Sequence, residues 1–109
     1  MQIVNLTPHS INFIVDDHKV TIAPSGSLAR VSSQTATTGS LSYGDVKIPV
    51  TETVYGAVEG LPAPKEDTIY IVSSLVASRC KDRRDVFIPN ESVRDAQGRI
   101  IGCRSLGRV

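Results

Sequence analysis

One stretch limits what this chain can fold into more than any other: Thr68 to Cys80, Thr-Ile-Tyr-Ile-Val-Ser-Ser-Leu-Val-Ala-Ser-Arg-Cys, its longest apolar run. The first half is rich in β-branched and aromatic residues, which suit a packed, pleated surface. The second half sets Leu75, Val76 and Cys80 at helical spacing, with Ser73 or Ser74 able to cap the first turn. The run therefore predicts a buried central strand over Thr68 to Val72 and one short helix over Ser74 to Arg79. A fold with a single helix after a buried strand has to find the rest of its core in sheet.

The remaining segments supply that sheet. Gln2 to Leu6, Ile11 to Val15 and Lys19 to Ala23 read as three short strands. The turns Thr7-Pro8-His9-Ser10 and Asp16-Asp17-His18 separate them, and together they predict an antiparallel meander. Leu28 to Ser32 follows the Pro24-Ser25-Gly26-Ser27 turn as a fourth strand. Residues 33–40 are small and polar and read as an extended edge strand or a mobile loop. Val46, Ile48 and Val50 alternate with Lys47, the period of a half-buried strand, and Pro49 places that strand at an edge or a bulge. Gly56 to Pro64 reads as loop, Asp85 to Pro89 as a brief strand and Asn90-Glu91-Ser92 as a turn. Val93 to Leu106 reads as a hairpin about Asp95 to Gly98. The fold expected is mainly β: a small single-domain β-barrel or β-sandwich of about seven to nine strands with one short α-helix. The edges near Pro49 and Pro89 invite a homodimer or a larger oligomer.

Bulk properties agree with one domain of 109 residues. A chain this long buries roughly 65% of its unfolded surface and needs no staple. No apolar run nears the roughly 20 residues that span a bilayer, and Met1 to Asn5 lacks a basic leader start. The reading is a soluble protein of the host-cell cytoplasm with no membrane partner. Cys80 and Cys103 read as two buried thiols, paired only if their strands are neighbours. His9 and His18 share no metal-ligand spacing, so no metal or cofactor is expected.

Net charge is +1 but unevenly placed. From residue 79 onward Arg79, Lys81, Arg83, Arg84, Arg94, Arg99, Arg104 and Arg108 face only Asp82, Asp85, Glu91 and Asp95, leaving +4 there and −3 before it. Arginine suits bidentate contact with phosphate or carboxylate. The alternating signs of Lys81-Asp82-Arg83-Arg84-Asp85 equally suit a solvated face of local ion pairs. The near-neutral total and the shortage of aromatic side chains argue against nucleic acid as partner.

Several segments together resemble a set of small proteins carried by phages, prophages and bacterial genomes. They are Asn5-Leu6-Thr7-Pro8-His9, Pro24-Ser25-Gly26 with Ala29-Arg30-Val31, Tyr55-Gly56-Ala57-Val58-Glu59-Gly60-Leu61-Pro62, Ile69 to Ala77, and Arg94 to Gly102. The resemblance covers nearly the whole chain. It implies a phage-associated setting and suits a binder or inhibitor of a host system.

Within that setting the residues favour binding over catalysis. Ser73, His9 and Glu59 can be drawn as a triad, but Ser73 lacks a nucleophile-elbow context. Ser73 and Ser74 stand where a strand meets a helix N-terminus, a place that attracts phosphate. Arg79, Arg83, Arg84 and Arg94 would complete such a site, Tyr55 or Tyr70 would stack on a base, and His9 stands beside the proline turn. The expectation is a non-enzymatic phage accessory protein that sequesters a small phosphate-bearing, nucleotide-type ligand to counter host defence. The alternative is an inhibitor of a host protein, or a phage structural component, working through the basic C-terminal surface.

Overall fold

The computed structural model describes Met1–Val109. Its elements in chain order are β1 (Gln2–Asn5), β2 (Ile11–Val15), β3 (His18–Ile22), β4 (Arg30–Tyr43), β5 (Val46–Glu59), β6 (Thr68–Ile71), α1 (Ser74–Ser78), β7 (Val86–Arg94) and β8 (Ile100–Gly107). Six strands form one curled sheet in the order β1-β6-β7-β8-β2-β3, and β4 with β5 forms a separate two-stranded ribbon.

The Thr68–Cys80 run becomes strand and helix, as its composition dictates. β6 lies between β1 and β7, parallel to both. A parallel strand covered on both faces reads as a continuous apolar run rather than an alternating one. Accordingly Tyr70 and Val72 enter one cluster with Leu6, Val76, Ala77, Cys80 and Val86. Ile71 enters another with Ile11 and Cys103, from the opposite face. Ser73 caps α1, its hydroxyl accepting the Val76 N–H at 3.4 Å. The helix then lays Val76 and Ala77 onto the first cluster.

The N-terminal strands do not form a meander. β2 and β3 do pair antiparallel, through a two-residue turn in which Asp16 and Asp17 both take positive φ. Such a turn matches the twist of the strands it joins. β1 instead leaves β2 and pairs parallel with β6. At the end of β1 stands Asn5, which is 1% exposed. Its carboxamide donates to the carbonyls of His9 at 2.7 Å and Ile22 at 3.1 Å, and accepts from the Thr7 N–H at 2.9 Å and the Thr7 hydroxyl at 2.7 Å. The Asn5 carbonyl also takes the Ser25 N–H at 2.9 Å. These bonds draw the chain just after β3 against the end of β1, where Asn5 bridges Pro24. The two edge strands of the curled sheet are thus joined at one side chain.

Two other segments extend beyond their expected limits. Residues 33–40 take the first of their two expected forms, extended strand: β4 is one strand of 14 residues, and β5, also 14, runs on through Gly56 to Glu59. It stops at Gly60, which has φ +81 and lies so close to the Leu28 carbonyl that a side chain would strike it. Asn90-Glu91-Ser92 is likewise strand, with Glu91 at φ 57 inside β7. Pro89 is accommodated because β6 pairs with β7 only at Val86 and Phe87, so Pro89 has the single neighbour β8.

The ribbon stands away from the rest. The radius of gyration is 17.9 Å and the extents are 56 × 40 × 23 Å; a compact chain of this length would have a radius of about 13 Å. No residue from Arg30 to Asp67 is buried. Only the ribbon's root touches the body, where Val31 and Val58 pack against the first cluster.

Candidate functional site

The ribbon, hereafter the arm, is built by regular alternation. Its tip is a two-residue turn, Gly44-Asp45, with positive φ at Gly44 and not at Asp45. That is the glycine-first hairpin turn whose twist suits two long strands. Residues opposite one another in an antiparallel pair share a face. The pairs Tyr43↔Val46, Leu41↔Ile48 and Gly39↔Val50 therefore form one face, which continues through Ala36↔Glu52 to Gln34↔Val54. Ser42↔Lys47, Ser40↔Pro49, Thr37↔Thr51 and Thr35↔Thr53 form the other. On this second face the Thr35 and Thr53 hydroxyls meet at 3.0 Å. A register shift between Thr37 and Gly39 places the extra residue, Thr38, on β4, and its hydroxyl donates to the Val50 carbonyl at 3.4 Å.

One face of the arm is thus apolar from Val46 to Val50, with Glu52 standing on the same face between Val50 and Val54, and no side chain of it is buried. Tyr43 is 81% exposed, Val54 70%, Leu41 66% and Val46 60%. An isolated two-stranded hairpin is marginal in water, and clustered exposed apolar side chains mark a contact surface.

The residues expected to bind phosphate are mostly engaged elsewhere. Arg83 donates to both oxygens of Asp85 at 2.9 Å and to the Pro62 carbonyl at 2.9 Å, with both charged side chains about four-fifths buried. Hydrogen bonds from Arg83 hold the Asp85 carboxyl below the usual carboxylate range, and the same bonds raise the Arg83 guanidinium. Arg94 closes the final hairpin by donating to the Gly98 carbonyl at 2.7 Å. Arg99 pairs with Asp95 at 3.0 Å, and hydrogen bonds from the Arg99 and Gln97 backbone amides and the Arg99 side chain lower that carboxyl. Arg108 lies over the Phe87 ring at 4.4 Å and donates to the Arg84 carbonyl at 2.9 Å. Lys81, Arg84 and Arg104 make no side-chain hydrogen bond or ion pair within the chain.

Ser73 and Ser74 begin a helix of only five residues, and Ser73 already caps it. His9 contributes its backbone carbonyl to the Asn5 and Thr7 network. The drawn triad is not assembled by hydrogen bonds: Ser73 caps α1 and Glu59 approaches Arg30 at 3.9 Å.

Of the expected set, the structure brings Tyr55 and Arg79 together. The guanidinium lies 5.3 Å from the ring centroid, at the root of the arm. Beside them Ser32, Ser33, Gln34, Val54 and Gly56 line an open hollow of about 350 Å³. Cys80 and Cys103 are both free thiols, in different clusters. Burial raises the pKa of each, so both are protonated at neutral pH.

The arm was only half legible in sequence. The alternation of Val46, Ile48 and Val50 with Lys47 marked β5. The Ser/Thr-rich partner strand, with no apolar run of its own, concealed the length of β4. No family model matches the chain, and neither a curated protein nor a solved structure does.

Proposed function

We propose that this protein is a non-enzymatic, self-assembling subunit of a phage-associated system, in which the arm of one copy seats on the body of another. The observation that carries this reading is the uncovered apolar face, Leu41, Tyr43, Val46, Ile48, Val50 and Val54, on a ribbon that packs on its own body only at its root. The phage setting rests on the resemblance in sequence.

Dimensions favour reciprocal seating. Eleven residues of strand from Ser33 to Tyr43 span about 36 Å at about 3.3 Å each, and a two-stranded ribbon is about 10 Å wide, so one face offers roughly 360 Å². A one-way contact buries roughly that area on each partner, against about 800 Å² in a standard interface. If every copy both gives an arm and receives one, the area per copy doubles to roughly 700 Å². A closed pair or ring satisfies this condition.

The test is a light-scattering mass across a dilution series, on the wild-type chain and on Leu41→Asp/Ile48→Asp. A wild-type oligomer and a folded monomeric variant support the reading. A wild-type monomer at all concentrations, or an unchanged oligomer in the variant, overturns it.

A second reading has its own support. The Tyr55–Arg79 stack borders a polar hollow and suits an aromatic, phosphate-bearing ligand, with the ring stacking and the guanidinium meeting the anion. Thermal shift against a nucleotide panel tests it. A hit that disappears in Arg79→Ala supports this ligand, and a hit unchanged in Arg79→Ala excludes the site.

A further inference from the structure

The arm needs a receiving surface, and the following inference rests on the self-assembly reading above. We infer that the apolar face of the arm seats in the groove between β2 and β8 of a second copy, against Ile100 and Ile101.

Three observations single out this groove. β2 and β8 run parallel and meet at Phe13 and Cys103, beside which Ser10, Ile11, Pro89, Ile100 and Ile101 line a hollow of about 240 Å³. Ile100 is 60% exposed and Ile101 43%, two neighbouring isoleucines that no part of their own chain covers. Elsewhere on the body the exposed large apolar side chains are Met1 and Val109 at the termini, Ile3, Leu28 and Leu75 singly, and Val15 beside Val20 on the β2–β3 hairpin. β8 and its hairpin turn also carry Arg99 and Arg104 against Asp95, a net +1, whereas the arm beyond its root carries Asp45 and Glu52 against Lys47, a net −1. Opposite net charge at the margins favours this docking over like-charged alternatives. The basic C-terminal segment then has a role as the rim of the receiving groove.

The competing acceptor is the hollow at the arm's own root, lined by Leu6, Pro8, Leu28, Val31 and Leu75. Its one cation, Arg30, already approaches Glu59 at 3.9 Å, so it offers the arm no uncompensated charge.

Site-directed cross-linking separates the two acceptors. Chains carrying Leu41→Cys are co-expressed with chains carrying Ile101→Cys, or with chains carrying Leu75→Cys, and oxidised mildly. The changed positions are exposed, so each chain keeps its fold. The native thiols are buried, so the unmodified chain forms no covalent dimer. A covalent heterodimer of Leu41→Cys with Ile101→Cys, and not with Leu75→Cys, is the expected result. Cross-linking to Leu75→Cys instead, or to neither while the oligomer persists, overturns the groove and leaves arm-mediated assembly standing. A protein that is monomeric throughout overturns both.

Discussion

In the body, β6 and the residue after it set Tyr70, Ile71 and Val72 between two apolar clusters, with Ile71 and Val72 wholly shielded from water. In the arm, β5 alternates Val46, Ile48 and Val50 with Lys47, Pro49 and Thr51 just as regularly, and none of these side chains is buried. The local grammar is that of strand in both cases. What differs is cover: neighbouring strands and α1 close over β6, whereas β5 has only β4, and a two-stranded ribbon shields neither of its faces. Stability therefore resides in the body and is fixed within one chain. The arm's apolar side chains have no cover within their own chain.

Substitutions should separate the two regions, and the largest effects belong to the body. Leu6→Ala removes a side chain 2% exposed from the first cluster and should cost about 3 kcal/mol in denaturant unfolding. A loss below about 1 kcal/mol would mean the cluster is not a packed core. Asn5→Ala strips partners from the His9 and Ile22 carbonyls and from Thr7. It should cost about 2–3 kcal/mol, because these groups lose their bonds at the seam of the sheet. Proteolysis within residues 7–10 should rise with it.

Next is the Arg83–Asp85 pair. Arg83→Ala leaves a mostly buried carboxylate without its donor and should cost about 2 kcal/mol at neutral pH. Because Arg83 lowers the folded pKa of Asp85, the pair's contribution is present above the unfolded value of about 3.9. It is lost as pH falls through the lower folded value. Melting scans from neutral pH into acid should show a steeper loss below about pH 4 in the wild-type chain than in Arg83→Ala. Parallel curves would dismiss the pair.

Changes in the arm should act in the opposite way. Leu41→Asp/Ile48→Asp should leave the circular dichroism and the unfolding free energy of the diluted monomer within about 0.5 kcal/mol of wild type, while abolishing assembly. A body that unfolds with the arm would erase the distinction drawn here. The smallest effect expected is at Glu91, held at φ 57 within β7. Glu91→Gly should be neutral or stabilising by up to about 1 kcal/mol, since glycine takes that conformation without strain.

Legibility followed the same division. The central strand, its capping serine, the short helix and the final hairpin could be read from Thr68 to Leu106, because apolar content, turn residues and local geometry agree there. The pairing of β1 with β6 could not, because the two strands are far apart in sequence and only the folded sheet brings Gln2 beside Thr68. The length of β4 was also hidden: Ser33 to Ser40 has no apolar periodicity, and its strand conformation is imposed by pairing with β5. The local partners of the candidate phosphate-site residues were hidden for a related reason. Arg83, Arg94 and Arg79 have separate local partners in Asp85, the Gly98 carbonyl and the Tyr55 ring, which their positions in the sequence do not reveal.

The central claim is that another copy covers the arm, and hydrogen exchange tests it most directly. Backbone amides of β4 and β5 between Ser33 and Val54 should exchange slowly in concentrated protein and rapidly after strong dilution, while those of β6 stay protected in both. Rapid exchange along the arm at every concentration would contradict the account.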